Sequence, residues 1–251
     1  MNCCYLYSPE HDNIYKKYLL YSIETLIKYY DKNINNIYIL FNNEVDENIY
    51  DEISNKLNEL IKNTNIKLIL KLIDLNITNC IKYPENNINN HRINRIGLLK
   101  FFIPYLVDVD DILYIDCDIL FYDNVYDKLI DGFKENSLLK IYHDGHNSGL
   151  IYFNCKTWRK HKTLLQSIID YYKTDYYKNS GTKLVDNNAF EWISRNKYDE
   201  ICVKVYDSRI NSSFEYSQVL KNELNIIHVW GEIYHKEELI EKIYNHIMSI
   251  N

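Results

Sequence analysis

The residues best equipped for chemistry are Asp116 and Asp118, in the run Tyr114-Ile115-Asp116-Cys117-Asp118-Ile119-Leu120. The apolar residues Ile112-Leu113-Tyr114-Ile115 precede them and read as a buried strand running straight into the acids. In an extended chain, carboxylates at i and i+2 share one side, with Cα atoms roughly 6–7 Å apart. At the carboxyl end of a parallel strand they would face the crevice where open α/β sheets hold ligands. Two hard carboxylates can share a divalent cation whose shell is completed by water and phosphate oxygens. Such an ion would neutralise charge gathering on a departing nucleotide diphosphate. Asp pairs at strand ends are also common solvated turns or caps. The strand of core residues ahead of this pair favours the site.

The elements around the pair alternate. Cys3 to Tyr7 reads as a first buried strand, followed by the turn-prone Ser8-Pro9-Glu10. Apolar residues recur at helical spacing from Asn13 to Tyr30. A strand follows over Asn36–Phe41, a helix from about Glu47 to Ile61, and a strand over Lys67–Ile73. This rhythm predicts an α/β fold with a mainly parallel, Rossmann-like central sheet flanked by helices. Beyond it, Asn76 to Asn94 reads as a loop, Arg95 to Leu106 as a helix carrying Lys100, and Asp111 to Leu120 as the stretch that contains the strand Ile112–Ile115 and the acids. Further strands are expected at Gly149–Asn154, Ile201–Tyr206 and Leu224–Val229. Helices are expected at Trp158–Tyr172, Val185–Ser194 and Glu237–Ile247. No repeat and no Pro/Gly/Ser-rich linker interrupts the chain, which predicts one domain over residues 1–251.

Composition narrows the partners. The chain has 251 residues and a formal net charge of -6, with no run of five or more Lys/Arg to grip a phosphate backbone. Nucleic acid is therefore not an expected partner. No apolar run approaches the ~18 residues of a membrane span. The six cysteines contain no C-x-x-C pair, so zinc and thioredoxin-like sites lack their spacing. Asn76-Ile77-Thr78 and Asn211-Ser212-Ser213 match the glycosylation sequon, but no secretory signal accompanies them. The expected setting is a cytoplasm with reduced thiols, a host cytoplasm if the source is viral. The 25 tyrosines could be sugar-stacking platforms. Together with abundant Asn and Ile, they read better as the codon bias of an AT-rich genome.

Several short pieces recur in a family order. They are Leu98-Leu99-Lys100-Phe101-Phe102-Ile103-Pro104, Tyr114-Ile115-Asp116-Cys117-Asp118, Asn147-Ser148-Gly149, Trp158-Arg159, Asp186-Asn187-Asn188 and His228-Val229-Trp230-Gly231. In these the chain resembles glycosyltransferase family eight, which includes glycogenin and bacterial lipopolysaccharide galactosyl- and glucosyltransferases. The resemblance runs from about Cys3 to Lys236. It implies a GT-A fold, with residues 1–118 as the nucleotide-binding half and residues 119–251 as the acceptor-side half.

The resemblance also implies roles. Asp116, Asp118 and His228 would hold Mn2+, with Mg2+ as the alternative, and Cys117 lies between the two acids. Lys100 would face the donor phosphates or sugar. Tyr7 and Ser8, with Asn13, would contact the base and ribose. Asn147 and Ser148 would contact the donor sugar, Asp186 its hydroxyls, and Asn187 the face of the anomeric carbon. Gly231 closes the late motif. The Lys-Pro-Trp that relatives carry after it is replaced by Glu232-Ile233-Tyr234-His235-Lys236, so His235 or Lys236 would have to grip the diphosphate. The implied reaction is retaining transfer of a hexose from a UDP-sugar, UDP-glucose or UDP-galactose by default, to a glycan, protein or lipid-linked hydroxyl. A homodimer is compatible with this reading.

Other readings stay open on the sequence. Lys100 could lie on a solvated helix face, His228 could be a core histidine, and Asp186 to Asn188 could simply cap a helix. A non-catalytic nucleotide-sugar-binding protein of the same fold would fit the missing Lys-Pro-Trp. A haloacid-dehalogenase-like phosphatase also follows a strand with D-x-D, though near the chain start.

Overall fold

In this computed structural model the described residues are 1–8, 12–81, 91–142, 148–174, 185–193, 202–205, 210–212, 225–229 and 236–250. Side chains of residues 12, 13, 91–94, 185, 191, 202–205 and 210–212 are not described. The chain begins with β1 (Asn2–Tyr7), α1 (Asp12–Tyr30), β2 (Asn36–Asn42), α2 (Glu47–Ile61) and β3 (Lys67–Ile73). It continues through α3 (His91–Leu99), α4 (Ile103–Leu106), β4 (Asp111–Ile115), β5 (Ile119–Phe121), α5 (Tyr126–Ile130), β6 (Leu139–Tyr142) and β7 (Leu150–Asn154). Then follow α6 (Cys155–Lys160), α7 (Leu164–Lys173), α8 (Val185–Trp192), β8 (Cys202–Val205), β9 (Ile210–Ser212), β10 (Ile226–His228) and α9 (Lys236–Ser249).

Seven strands form one sheet in the order β3-β2-β1-β4-β7-β6-β8, and β5, β10 and β9 form a second. Within the large sheet only β7 runs against its neighbours. Period-two alternation divides the strands between two cores. Cys3, Tyr5 and Tyr7 of β1 point to the core shared with α1, α2, α9 and the small sheet. Cys4 and Leu6 point to the opposite core, shared with α3, α4, α6, α7 and α8. Local signals set several element ends. Asp46 caps α2 by accepting from Asn48 N at 2.9 Å, and Asn154 caps α6 by accepting from Thr157 N at 2.8 Å.

Several expected elements are divided. The helix expected over Arg95–Leu106 is α3, a 3-10 turn at Lys100–Phe102, and then α4. Pro104 has no N–H to continue the ladder and sits instead in the first turn of a restarted helix. The helix expected over Trp158–Tyr172 is α6 and α7, broken at residues 161–163. The expected loop begins as a 3-10 helix at Leu75–Cys80, with Asp74 accepting from Asn76 N at 2.9 Å. The strand expected at Ile112–Ile115 is β4, one residue longer at its start, and the chain resumes as β5 at Ile119 in the other sheet.

The tyrosines behave as core residues with a polar handle. The hydroxyl of Tyr30 donates to Asp123 O at 2.9 Å, that of Tyr152 donates to Asp111 Oδ1 at 2.8 Å, and that of Tyr5 lies 3.1 Å from Ser22 Oγ. Among the described residues, no helix is long and apolar enough to cross a membrane.

Candidate active site

The acid pair straddles the passage between the two sheets. Asp116 still belongs to the large sheet, where its N–H donates to Gly149 O at 2.8 Å. Asp118 already belongs to the small one, where its carbonyl accepts from Val229 N at 3.1 Å. Between them the chain turns rather than extending, closed by Ile119 N donating to Asp116 O at 3.2 Å. The extended i, i+2 geometry expected from the sequence is therefore replaced by a turn, because two different ladders claim the two acids. The side chain of Cys117 is buried in the turn, and its thiol donates to Leu6 O at 3.2 Å. Burial, and then the adjacent carboxylates, push this thiol well above its usual pKa, so it stays protonated.

The small sheet brings in His228. Its partner across the antiparallel β5–β10 ladder is Ile119. Nε2 of His228 lies 3.0 Å from Asp118 Oδ1 and 3.7 Å from Asp116 Oδ2. One ligand atom from each of the three residues falls within 4.8 Å of the others. Two carboxylates and an imidazole at this spacing could hold a divalent cation. Gly149 makes room for the ring. A Cβ there would stand 2.2 Å from His228 Cε1, 2.6 Å from its Nδ1 and 2.9 Å from Asp116 Oδ2.

On the Asp116 side lies a buried polar network. Lys100 Nζ is 3.2 Å from Asp116 Oδ1 and 2.7 Å from Asp186 Oδ2. It also donates to Ser148 Oγ at 3.2 Å and to Ser148 O at 3.4 Å. Ser148 in turn donates from Oγ to Asp186 Oδ2 at 2.6 Å, and its N–H donates to Asn187 Oδ1 at 2.7 Å. The Tyr114 hydroxyl donates to Asp116 Oδ1, and the Tyr114 ring lies under Lys100, 5.0 Å from Nζ to its centroid. Burial favours neutral Lys100, but Asp116 and Asp186 outweigh it and hold the ammonium's pKa above the usual range. Asp186 is likewise buried, yet Lys100 and Ser148 keep its carboxyl below the usual range.

On the Asp118 side, Lys236 at the start of α9 donates from Nζ to Asp118 Oδ2 at 2.7 Å. The rings of Tyr15 and Tyr18 flank this ammonium, with centroids 5.8 Å and 5.7 Å away. Burial would raise the Asp118 pKa, but His228 and Lys236 together hold it well below the ordinary carboxylate range.

The acids line a cavity of about 210 Å³, together with Tyr7, Ser8, Tyr15, Lys100, Cys117 and Asp186. Tyr7 and Ser8 thus reach the same space from the end of β1. The buried Ser8 hydroxyl has no hydrogen-bond partner among the described residues, which suits a wall that meets a polar ligand. The site residues expected at Asn147 and Gly231 lie outside the described residues, as does His235. The side chain of Asn13 is also outside them.

Sequence reasoning named Asp116, Asp118, His228, Lys100, Ser148, Asp186, Asn187 and Lys236, and the structure brings all eight together. It gave no role to Tyr114, Tyr15 or Tyr18, which passed for ordinary core aromatics. The Trp158-Arg159 piece proves to be scaffold. Trp158 is buried edge-on against Phe153, and Arg159 donates to the carbonyls of Pro104, Val107 and Val109, pinning the segment that leads into β4.

No protein-family model and no curated protein sequence matches this chain. Solved structures do. The galactosyltransferase LgtC, in complex with donor and acceptor sugar analogues, aligns over 100% of this chain and 98% of its own, with a TM-score of 0.67 and 14% identity. Mouse xyloside xylosyltransferase 1 in its apo form covers 92% of this chain and 98% of its own, with a TM-score of 0.65 and 13% identity. The glycosyltransferase GlyE of Streptococcus pneumoniae TIGR4 aligns over 99% of this chain and 63% of its own, with a TM-score of 0.62 and 14% identity. At such identities the likeness establishes architecture, and the architecture of this chain is the GT-A fold.

Proposed function

We propose that this chain is a retaining, metal-dependent glycosyltransferase that moves a hexose from a UDP-sugar, glucose or galactose by default, to a hydroxyl acceptor. The observation that carries the reading is the convergence of Asp116, Asp118 and His228 on one point beside a cavity, at the sheet junction of a GT-A fold. Mn2+, or Mg2+ in its place, would be held by these three side chains. When bound, the ion neutralises charge on the departing diphosphate.

The remaining steps fall to the chain's own residues. Tyr7 and Ser8, with Asn13, bind the base and ribose. Asn147, Ser148 and Asp186 orient the donor sugar, while Gly231 and Lys236 serve the diphosphate. Lys100 fixes Asp116 and Asp186 against one another at 3.2 and 2.7 Å. Asp186 and Asn187 are both engaged in the network around Lys100 and Ser148. Asp186 Oδ2 is taken by both Lys100 and Ser148, and the carbonyl oxygen of Asn187 accepts from Ser148 N. This supports front-face departure and attack, in which an oxygen of the leaving diphosphate takes the proton of the acceptor hydroxyl. The acceptor is a glycan, a protein or a lipid-linked sugar. The five described cysteines are free, in keeping with a cytoplasmic setting.

The likeness in fold to glycosyltransferase structures favours transfer over the phosphatase alternative. The non-catalytic reading keeps one observation in its favour, the contact of Lys236 with a carboxylate that the metal would need. Release of UDP from a panel of UDP-sugars, with and without Mn2+, decides between the two. The wild-type chain is expected to release UDP only with the ion. Asp118→Asn should lose at least about a hundredfold, equivalent to about 2.7 kcal/mol of transition-state stabilisation. Donor binding with no UDP release would establish the non-catalytic reading. Full turnover in Asp118→Asn, insensitive to chelator, would rule out the metal site.

A further inference from the structure

Lys236 is held in an unusual way for a cation beside a prospective metal site. Its ammonium has Asp118 Oδ2 at 2.7 Å and two tyrosine faces, Tyr15 and Tyr18, at 5.8 and 5.7 Å. It also opens α9, and a helix N-terminus disfavours positive charge. The backbone that carries it is fixed independently, because Lys17 of α1 pairs with Glu241 of α9 at 2.8 Å and with Glu237 at 3.5 Å. Asp118 thus has both oxygens engaged, Oδ1 by His228 and Oδ2 by Lys236.

A divalent ion held by Asp118 would stand within a few ångströms of this ammonium, and the two positive charges would repel each other. The four-carbon stem of a lysine can swing while its rings and helix stay in place. Once off Asp118, the ammonium needs another anion. A nucleoside diphosphate offers one, since its oxygens must approach the same ion.

We infer that Lys236 is an exchangeable counter-cation, resting on Asp118 while the metal position is empty and passing to the donor diphosphate when an ion is held. The inference rests on the proposed function, and it makes ion and nucleotide binding mutually dependent. Without nucleotide, the ion has to displace Lys236 with no return. With nucleotide present, the displaced charge is paired again.

Titration calorimetry tests this on the wild-type chain, Lys236→Met and Lys236→Arg, using Mn2+ alone, UDP alone, and each in the presence of the other. Lys236→Met is expected to bind Mn2+ alone about tenfold more tightly than wild type. The factor by which UDP tightens Mn2+ should shrink by about tenfold. The reverse titration must show the same shrinkage, because coupling between two ligands is reciprocal. Lys236→Arg should keep the wild-type coupling. If Lys236→Met fails to fold by circular dichroism, Lys236→Gln, which keeps a donor without the charge, reads the same quantities. Unchanged or weaker Mn2+ affinity in the neutral variant, or unchanged coupling, would overturn the exchange while leaving the metal site intact. A wild-type chain that binds neither Mn2+ nor UDP would instead overturn the proposed function, and the exchange with it.

Discussion

The two flanks of the acid pair each place a lysine on a carboxylate, and they do so in opposite ways. On the Asp116 flank, Lys100 is 8% exposed and bonded to Asp116, Asp186 and both oxygens of Ser148. On the Asp118 flank, Lys236 is 15% exposed and rests on one oxygen and two aromatic faces. The first lysine is knitted to the ends of β4 and β7 and to α8 and cannot leave without unpairing two half-buried acids. The second has one charged partner among the described residues. A site can therefore use the same residue type once as framework and once as a movable charge, and the number of partners tells the two apart.

The largest test of this contrast is stability. Lys100→Met leaves Asp116 and Asp186 without their shared cation in a buried site, a change that costs about 3–5 kcal/mol. Lys236→Met takes one of the two partners from buried Asp118 and leaves it with His228, and should cost less, about 1–2 kcal/mol. Urea unfolding of the two variants side by side measures the difference, and equal losses would break the distinction. Of intermediate size is Gly149→Ala, which drives a methyl into the ring of His228 and against Asp116. We expect about 1–3 kcal/mol of overpacking and a loss of Mn2+ affinity greater than the loss of UDP affinity. Retained Mn2+ binding would show that His228 is not needed as a ligand.

The smallest effect is in acid. The folded-state pKa of Asp186 is depressed, so its contribution is fully present above the unfolded carboxylate pKa of about 3.9 and is lost as pH falls below it. Melting followed down to pH 3 should show a modest decline for wild type. In Lys100→Met, burial is no longer opposed by that ammonium, so the Asp186 pKa moves upward and protonation favours the folded state; the deficit of the variant against wild type should narrow as pH falls. Superimposable pH profiles would remove Lys100 from its place as framework.

Much of the fold was legible because the first half obeys simple periodicities. The strands Cys3–Tyr7, Asn36–Phe41 and Lys67–Ile73 fall within a residue of β1, β2 and β3, since buried parallel strands announce themselves as apolar runs. The acid pair, His228 and Lys100 were legible from motif order. Of the small sheet, β10 was legible inside the strand expected over Leu224–Val229, but its pairing was not, because β10 meets β5 from more than a hundred residues away. Hidden for the same reason was the turn that replaces the extended Asp116–Asp118 geometry. The contact of Lys236 with Asp118 depends on where α9 docks on α1, and no local pattern encodes that.

The β5–β10 ladder has a consequence for how such a chain can change in length. Three pairs, Ile226 with Phe121, Ile227 with Leu120 and His228 with Ile119, index the imidazole to the acids as a rack indexes a pinion. Because side chains alternate faces along a strand, a slip of one tooth would turn His228 to the far side of the sheet. Loops between Tyr122 and Asn225 can lengthen or shorten without disturbing that alignment, since the teeth re-engage at the same place. The spacing between the acids and the imidazole in space is thus set by the ladder and not by the length of chain between them.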